Sequence, residues 1–166
     1  MITLEPITPT TAYIFKAVRL RALKDAPSAF SSTYDKELLI PDEEWFQRSV
    51  RWSSEGSIGY LAFFRGESCG MVACYAEDQN PARAHVVSMW VDPRYRRTGA
   101  GTALIHALIA WAKARSMQEL KLMVTSVNRG AIDFYERIGF TKTGKISPYP
   151  NNPLIVEYEM LLPLFP

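Results

Sequence analysis

"RYRRTGAGTALIHAL", Arg94 to Leu108, runs from three arginines through two glycines into an apolar stretch with helical spacing. A helix N-terminus presents unpaired N–H groups and a partial positive charge, which suits an anion. Gly99 and Gly101 lack the β-carbons that would keep a diphosphate from the backbone, and Arg96 and Arg97 can add charge-assisted bonds. Three phosphate-binding patterns compete. A Walker loop requires Lys before Ser/Thr, and Gly101-Thr102 has none. A dinucleotide fingerprint requires a small third residue where "GAGTAL" has Leu104, and an acid after the next strand where the chain has Thr125, Ser126 and Val127. The remaining pattern, Gln/Arg-x-x-Gly-x-Gly/Ala, is met by Arg96, Gly99 and Gly101. Alone it is also compatible with a tight turn and a capped helix.

The flanks of this turn set the fold. "AHVVSMWVDP" reads as a strand stopped by Asp92-Pro93, the helix runs from about Gly101 to Arg115, and "ELKLMVTSV" is a second strand. Together they predict a parallel, right-handed β-α-β unit. Upstream lie a strand at residues 2–6, helices in "TPTTAYIFKAVRLRALKDAP" and "PDEEWFQRSVRWSS", and a hairpin of "SIGYLAFFR" and "CGMVACYAED". Downstream come a short helix in "NRGAIDFYERIG", a short strand near "FTKTGK" and a closing strand in "PLIVEYEMLLPL". The expectation is an α/β fold, a single domain over residues 1–166. Its mixed α+β sheet is mostly antiparallel, with a central parallel pair and helices on both faces.

Composition narrows the function. The chain has 166 residues, 48% apolar and 22% charged, with a formal charge of +2. That balance argues against nucleic acid or a membrane surface as partner, since either needs a larger basic face than Arg94, Arg96 and Arg97. No apolar run reaches 18 residues, and "MITLEPITPT" does not read as a secretory leader. Cys69 and Cys74 lie five apart in one strand, so alternation places them on opposite faces and a disulfide between them is not expected. Cytoplasm is the compartment expected. His85 and His106 show no metal-ligand spacing with the cysteines, and no metal is expected.

A second motif supports the turn. "NRGAIDFYERIGF" opens on Asn128, continues through Ala131, Phe134 and Tyr135, and ends at Gly139-Phe140. With the turn at Arg96 to Thr102, this order and spacing over residues 84–140 resembles the GNAT superfamily of acetyl-CoA-dependent N-acetyltransferases. Arg19, Ala22, Leu23, Ala26, Pro27, Ala29 and Phe30 resemble bacterial members more loosely. The resemblance implies acetyl-CoA as co-substrate, its pyrophosphate wrapped by main-chain amides of Arg96, Arg97, Thr98, Gly99, Ala100, Gly101 and Thr102. It also implies a strand, Met89-Trp90-Val91, that splays from its neighbour so that backbone groups of Met89 and Val91 pair with the pantetheine arm. Asn128 corresponds to an asparagine beside pantetheine, though Asn is equally a good helix N-cap. Tyr135 corresponds to the tyrosine facing the thioester sulfur, a general acid for the departing thiolate; a packed core tyrosine is the alternative.

The acceptor side is less defined. A lysine-like amine with pKa near about 10.4 is only about 0.04% neutral at pH 7, a penalty of about 4.6 kcal/mol that a base or a desolvating pocket must offset. Histone-type members place a glutamate eleven residues before the Gln/Arg of the turn; here that position is His85, a departure. Neutral imidazole can serve as base, and a strand-end residue without a role is the alternative. Alternation along the strand puts His85, Val87, Met89 and Val91 on one face; with Met89 and Val91 beside the coenzyme arm, as the resemblance implies, His85 lies on the approach side for the acceptor. Tyr34, Glu37 and Glu157 are rival acid–base candidates without a motif. Direct transfer to a primary amine of a small molecule or peptide is the expected reaction; a non-catalytic acyl-CoA sensor is the alternative, and a homodimer is a common outcome in such proteins. Residues 25–55 and the "SPYPNNP" loop, with Trp45, Trp52 and Tyr149, are expected to shape the acceptor site, by lining a pocket or by packing the core.

Overall fold

The computed structural model describes residues 1–165. β1 (Ile2–Pro6) leads to α1 (Ala12–Asp25), a short α2 (Tyr34–Leu38) and α3 (Asp42–Trp52). β2 (Ser57–Phe64), β3 (Glu67–Ala76) and β4 (Arg83–Val91) form a meander. α4 (Ala100–Ala114), β5 (Glu119–Thr125), α5 (Arg129–Ile138), β6 (Thr141–Tyr149) and β7 (Asn152–Pro163) complete the chain. The seven strands make one sheet in the order β1-β2-β3-β4-β5-β7-β6, with β4 and β5 its parallel pair. The expected mixed sheet is thus found. The reading from sequence missed α2, and β6 runs well beyond "FTKTGK", so that "SPYPNNP" is mostly strand with a tight hairpin turn. No helix among the described residues is long and apolar enough to cross a membrane.

Local chemistry explains the helices that frame the site. Gly99 caps α4 in the left-handed conformation, φ +93°, which glycine adopts without a β-carbon clash. Leu104, Ile105, Leu108, Trp111 and Ala112 then recur on one buried face of α4. Each large apolar side chain so buried contributes about 1.5–3 kcal/mol. Asp42, Glu43 and Glu44 fill the first turn of α3, where their charge complements the helix dipole. The Asn128 carboxamide oxygen accepts from Ala131 N at 3.3 Å and caps α5.

Two cores lie against the sheet. Helices α4 and α5 share one with Ala84, Val86, Leu120, Leu122 and Val124. Helices α1 and α3 share the other with Leu61, Phe63, Met71 and Trp90. Two bulges alter which side chains reach which core. In β3, Gly70 pairs with Ala62 and Ser68 with Phe63, so Cys69 is an extra residue. Its parity shifts, and Cys69 joins Cys74 in the α4-side core rather than lying opposite it. Both thiols are free and buried, and burial pushes Cys74 up to about 12.

Candidate active site

β4 and β5 pair only through Arg83–Glu119, Ala84–Leu120 and His85–Lys121. Beyond that rung they diverge. The space between them opens into a cleft of about 1090 Å³, bounded by the Arg96–Thr102 turn, α5, the segment after α1 and the β6–β7 hairpin. That volume exceeds what most small ligands require.

At one end of the cleft, the N–H groups of Gly99, Ala100, Gly101 and Thr102 donate no hydrogen bond among the described residues; the first helical bond runs from Ala103 N to Gly99 O. Four adjacent amide donors are therefore available at a helix N-terminus. Gly99, Gly101 and Thr102 line the cleft. A β-carbon at Gly101 would stand 3.2 Å from Phe134 Cζ and 3.4 Å from Met89 Cε, so the turn packs directly on α5 and β4. Arg97 takes a left-handed φ of +67°. Arg96 is already engaged: its Nε donates to Val91 O at 3.1 Å and its Nη2 to Asp25 at 3.2 Å. The Val91 carbonyl, at the end of the strand expected to present an open backbone edge, thus accepts a bond within the protein. Arg94 turns back onto Asp92, whose carboxyl its hydrogen bonds, with those of Arg21, hold well below the usual range.

The second bulge decides the geometry of β4. Met71 pairs with Trp90 and Ala73 with Val87, so Ser88 and Met89 together oppose Val72. Ser88 adopts φ +58°. Side-chain parity reverses there. Met89 and Val91 pack with Ala84 and Val86 on the α4 side, whereas Trp90 enters the core of α1 and α3. His85 therefore does not share a face with Met89 and Val91, contrary to simple alternation. It points to the α1 side, where its ring stacks on Tyr75 at 5.3 Å and Nδ1 lies 3.3 Å from Tyr75 Oη. Burial, aided by the Lys121 charge, lowers its pKa, so the imidazole is neutral at pH 7. His85 still lines the cleft, from the face opposite the turn.

Tyr135 and Asn128 line the cleft together, as their two-turn spacing on α5 requires. The Tyr135 ring packs on Phe140 at 5.6 Å, and burial raises its phenol pKa. This tyrosine is a core ring at the edge of the cleft. Asn128 is confirmed as a cap and is also exposed to the cleft. His106 is an exposed residue of α4, away from the cleft lining.

The segments expected to shape the acceptor side do meet. Tyr149 Oη donates to Pro27 O at 3.0 Å and also to Phe30 O, and Asn151 Nδ2 donates to Phe30 O at 3.1 Å, tying the β6–β7 hairpin to the segment after α1. Trp45 is core, 1% exposed and edge-on to Phe15. Trp52 instead tilts against Tyr75 beside a second cavity of about 660 Å³. Sequence reasoning placed Arg19 only in a loose family pattern and missed its contacts, a fork onto buried Glu37 at 3.0 and 2.9 Å and a bond donated to Ser88 Oγ at 3.0 Å. It also missed Thr125, a buried cleft residue whose hydroxyl has no partner among the described residues. No local pattern shows either arrangement, because the neighbours involved lie in distant elements.

The chain resembles known proteins across this region. An uncharacterized N-acetyltransferase of Methanocaldococcus jannaschii is 39% identical over 111 residues, 64% of this chain and 43% of that protein. A mycothiol acetyltransferase of Thermobispora bispora is 31% identical over 140 residues, 84% of this chain and 45% of that protein. The chain thus spans less than half the length of these curated relatives. The structure of yncA from Salmonella typhimurium, described as a putative acetyltransferase with its cofactor acetyl-CoA, superposes with a TM-score of 0.83 at 15% identity, covering 100% of this chain and 95% of that one. The family model for the acetyltransferase (GNAT) family matches residues 20–140, which takes in the splayed strands, the amide turn and α5, and the chain belongs to that family.

Proposed function

We propose that this protein is an N-acetyltransferase that moves the acetyl group of acetyl-CoA to a primary amine of a small molecule or peptide, with residues 1–166 acting as one unit. The observation that carries the reading is the row of undonated amides at Gly99 to Thr102 beside two strands that part after His85. A diphosphate satisfies those four donors and the helix end. Arg96, Arg97, Thr98 and the Gly99–Thr102 backbone would hold it. Met89, Trp90 and Val91 would border the extended arm, with Met89 supplying the open backbone edge and Asn128 facing it from α5. The yncA structure, with acetyl-CoA, supports this choice of co-substrate.

The chain's own groups supply the proton chemistry. Burial keeps Tyr135 protonated throughout the physiological range, so its hydroxyl can donate to a departing thiolate. Neutral His85, on the opposite face, can accept a proton from the attacking nitrogen. The buried thiols of Cys69 and Cys74 are held protonated and do not line the cleft, so transfer proceeds directly in a ternary complex without an acetyl-cysteine.

Titration calorimetry with acetyl-CoA, followed by thiol release with a panel of primary amines, tests the proposal. Binding with amine-dependent release is expected. Binding without release on any amine favours a sensor; absence of binding overturns the coenzyme assignment.

A further inference from the structure

Leu120, Leu122 and Val124 of β5 face the α4-side core, so Lys121, Met123 and Thr125 face the other way, toward α1 and the acceptor side. Thr125 pairs directly with Glu157 of β7, and directly opposed residues of an antiparallel pair share a face. Both line the cleft. Thr125 is 4% exposed, and its Oγ1 has no hydrogen-bond partner among the described residues. A buried hydroxyl without a partner is costly, and such groups are uncommon in folded proteins. Here it lies just beneath the cleft wall, on the same face as a carboxylate.

Glu157 likewise has no side-chain partner among the described residues. Burial alone acts on its carboxyl, and raises its pKa. The charged groups around it have other commitments. Glu159, next on the same face of β7, accepts from Thr143 at 3.0 Å. Lys121 on β5 pairs with Glu77, and Arg19 on α1 pairs with Glu37. His85 on β4 is held beside Tyr75, and Arg137 of α5 lines the same cleft without pairing with Glu157. None of these pairs with Glu157, so a partly desolvated carboxylate lies beside a hydroxyl that has no protein partner among the described residues.

We propose that Thr125 and Glu157 form the seat of the acceptor amine, Oγ1 and the carboxylate accepting hydrogen bonds from the incoming ammonium, and Glu157 taking its first proton. This rests on the acetyltransferase reading above. In a site where both ions are desolvated, the neutral acid–amine pair gains on the ion pair, so the transfer that is unfavourable in water becomes accessible. The protons balance. R–NH3+ gives one proton to Glu157. The R–NH2 lone pair then forms the bond to the acetyl carbonyl carbon, and His85 takes the second nitrogen proton. The C–S bond breaks, and the thiolate receives the proton of Tyr135. Through solvent, His85 loses its proton and Tyr135 regains one, and Glu157 releases its proton to water, the net product being amide, thiol and one proton.

The two variants to make are Glu157→Gln and Thr125→Val, assayed with spermidine, glycinamide and an alanyl tetrapeptide as amine probes. Calorimetry should give each variant the wild-type Kd for acetyl-CoA. Glu157→Gln should lower kcat/KM for the amine by about 100-fold at pH 7, with the deficit narrowing as the amine becomes neutral toward pH 10. Thr125→Val should raise the amine KM several-fold while Tm stays level or rises, because the change breaks no hydrogen bond within the described residues. Failure of the wild-type protein to bind acetyl-CoA or to acetylate any probe overturns the underlying reading. Wild-type transfer with Glu157→Gln within twofold at every pH, or a Tm loss in Thr125→Val with unchanged KM, overturns this seat alone.

Discussion

Ser88, held at φ +58° in the β4 bulge, accepts a hydrogen bond from Arg19 Nη1 at 3.0 Å. That one bond joins helix α1 to the point where β4 reverses its side-chain parity. The bulge there puts His85 on the α1 side of the sheet and Met89 and Val91 on the α4 side.

The network behind Ser88 is buried and ionic. Glu37 holds Arg19 and also Arg48 at 3.1 Å, with its own side chain 3% exposed. Glu37→Gln leaves two partly buried guanidiniums without their counter-ion, and is expected to destabilise the fold by about 3 kcal/mol. Urea denaturation measures this directly. Asp42, whose pair with Lys16 is exposed, serves as the control: its removal should change stability by under about 1 kcal/mol.

His85 provides a pH signature. Burial and Lys121 depress its pKa below 6.5, so the folded protein binds fewer protons than the unfolded chain on the acid side of neutrality. Stability contributed by neutral His85 is present above about pH 6.5 and is lost as pH falls from there through the depressed value. The acid limb of kcat/KM for the amine should fall in the same window. His85→Ala is expected to remove that limb and to reduce turnover well beyond tenfold, with acetyl-CoA affinity unchanged by calorimetry.

Tyr135→Phe separates packing from chemistry. The ring contact with Phe140 is retained and only the hydroxyl is lost. We expect Tm within a few degrees of the wild type and kcat lower by about 100-fold, the usual scale for losing a general acid. An equal loss at all pH values below 9 is also expected, because burial keeps this phenol protonated throughout that range. Stopped-flow detection of free thiol reads the effect.

Gly101→Ala tests the amide turn. The new methyl would meet Phe134 at 3.2 Å and Met89 at 3.4 Å, contacts that demand shifts of a few tenths of an ångström. Helix propensity offsets this by about 0.5–1 kcal/mol, so Tm should change little. The displaced amides should nevertheless weaken acetyl-CoA binding by about tenfold, measured by calorimetry.

Much of this protein was legible locally. The Arg96–Thr102 turn, the helix after it, the Asn128 cap and the β4–α4–β5 unit all depend on residues within a few positions of one another, where sterics and backbone hydrogen bonding act without help from the rest of the chain. Cys69, Ser88 and Thr125 were different. A strand's alternation holds only until a partner strand forces an extra residue, and the partners that do so here, Val72 against Ser88 and Met89, and Ala62 and Phe63 around Cys69, lie in neighbouring strands. Ser88 carries no glycine to announce its left-handed backbone; its hydroxyl is held by Arg19, 69 residues away. Thr125 meets Glu157 only because β7 inserts between β5 and β6. The sequence by itself determined the glycine turn and the helix end behind it, since local sterics suffice. The tertiary structure decided which side chains share a face of the sheet, because that follows from strand register, a property of two strands together.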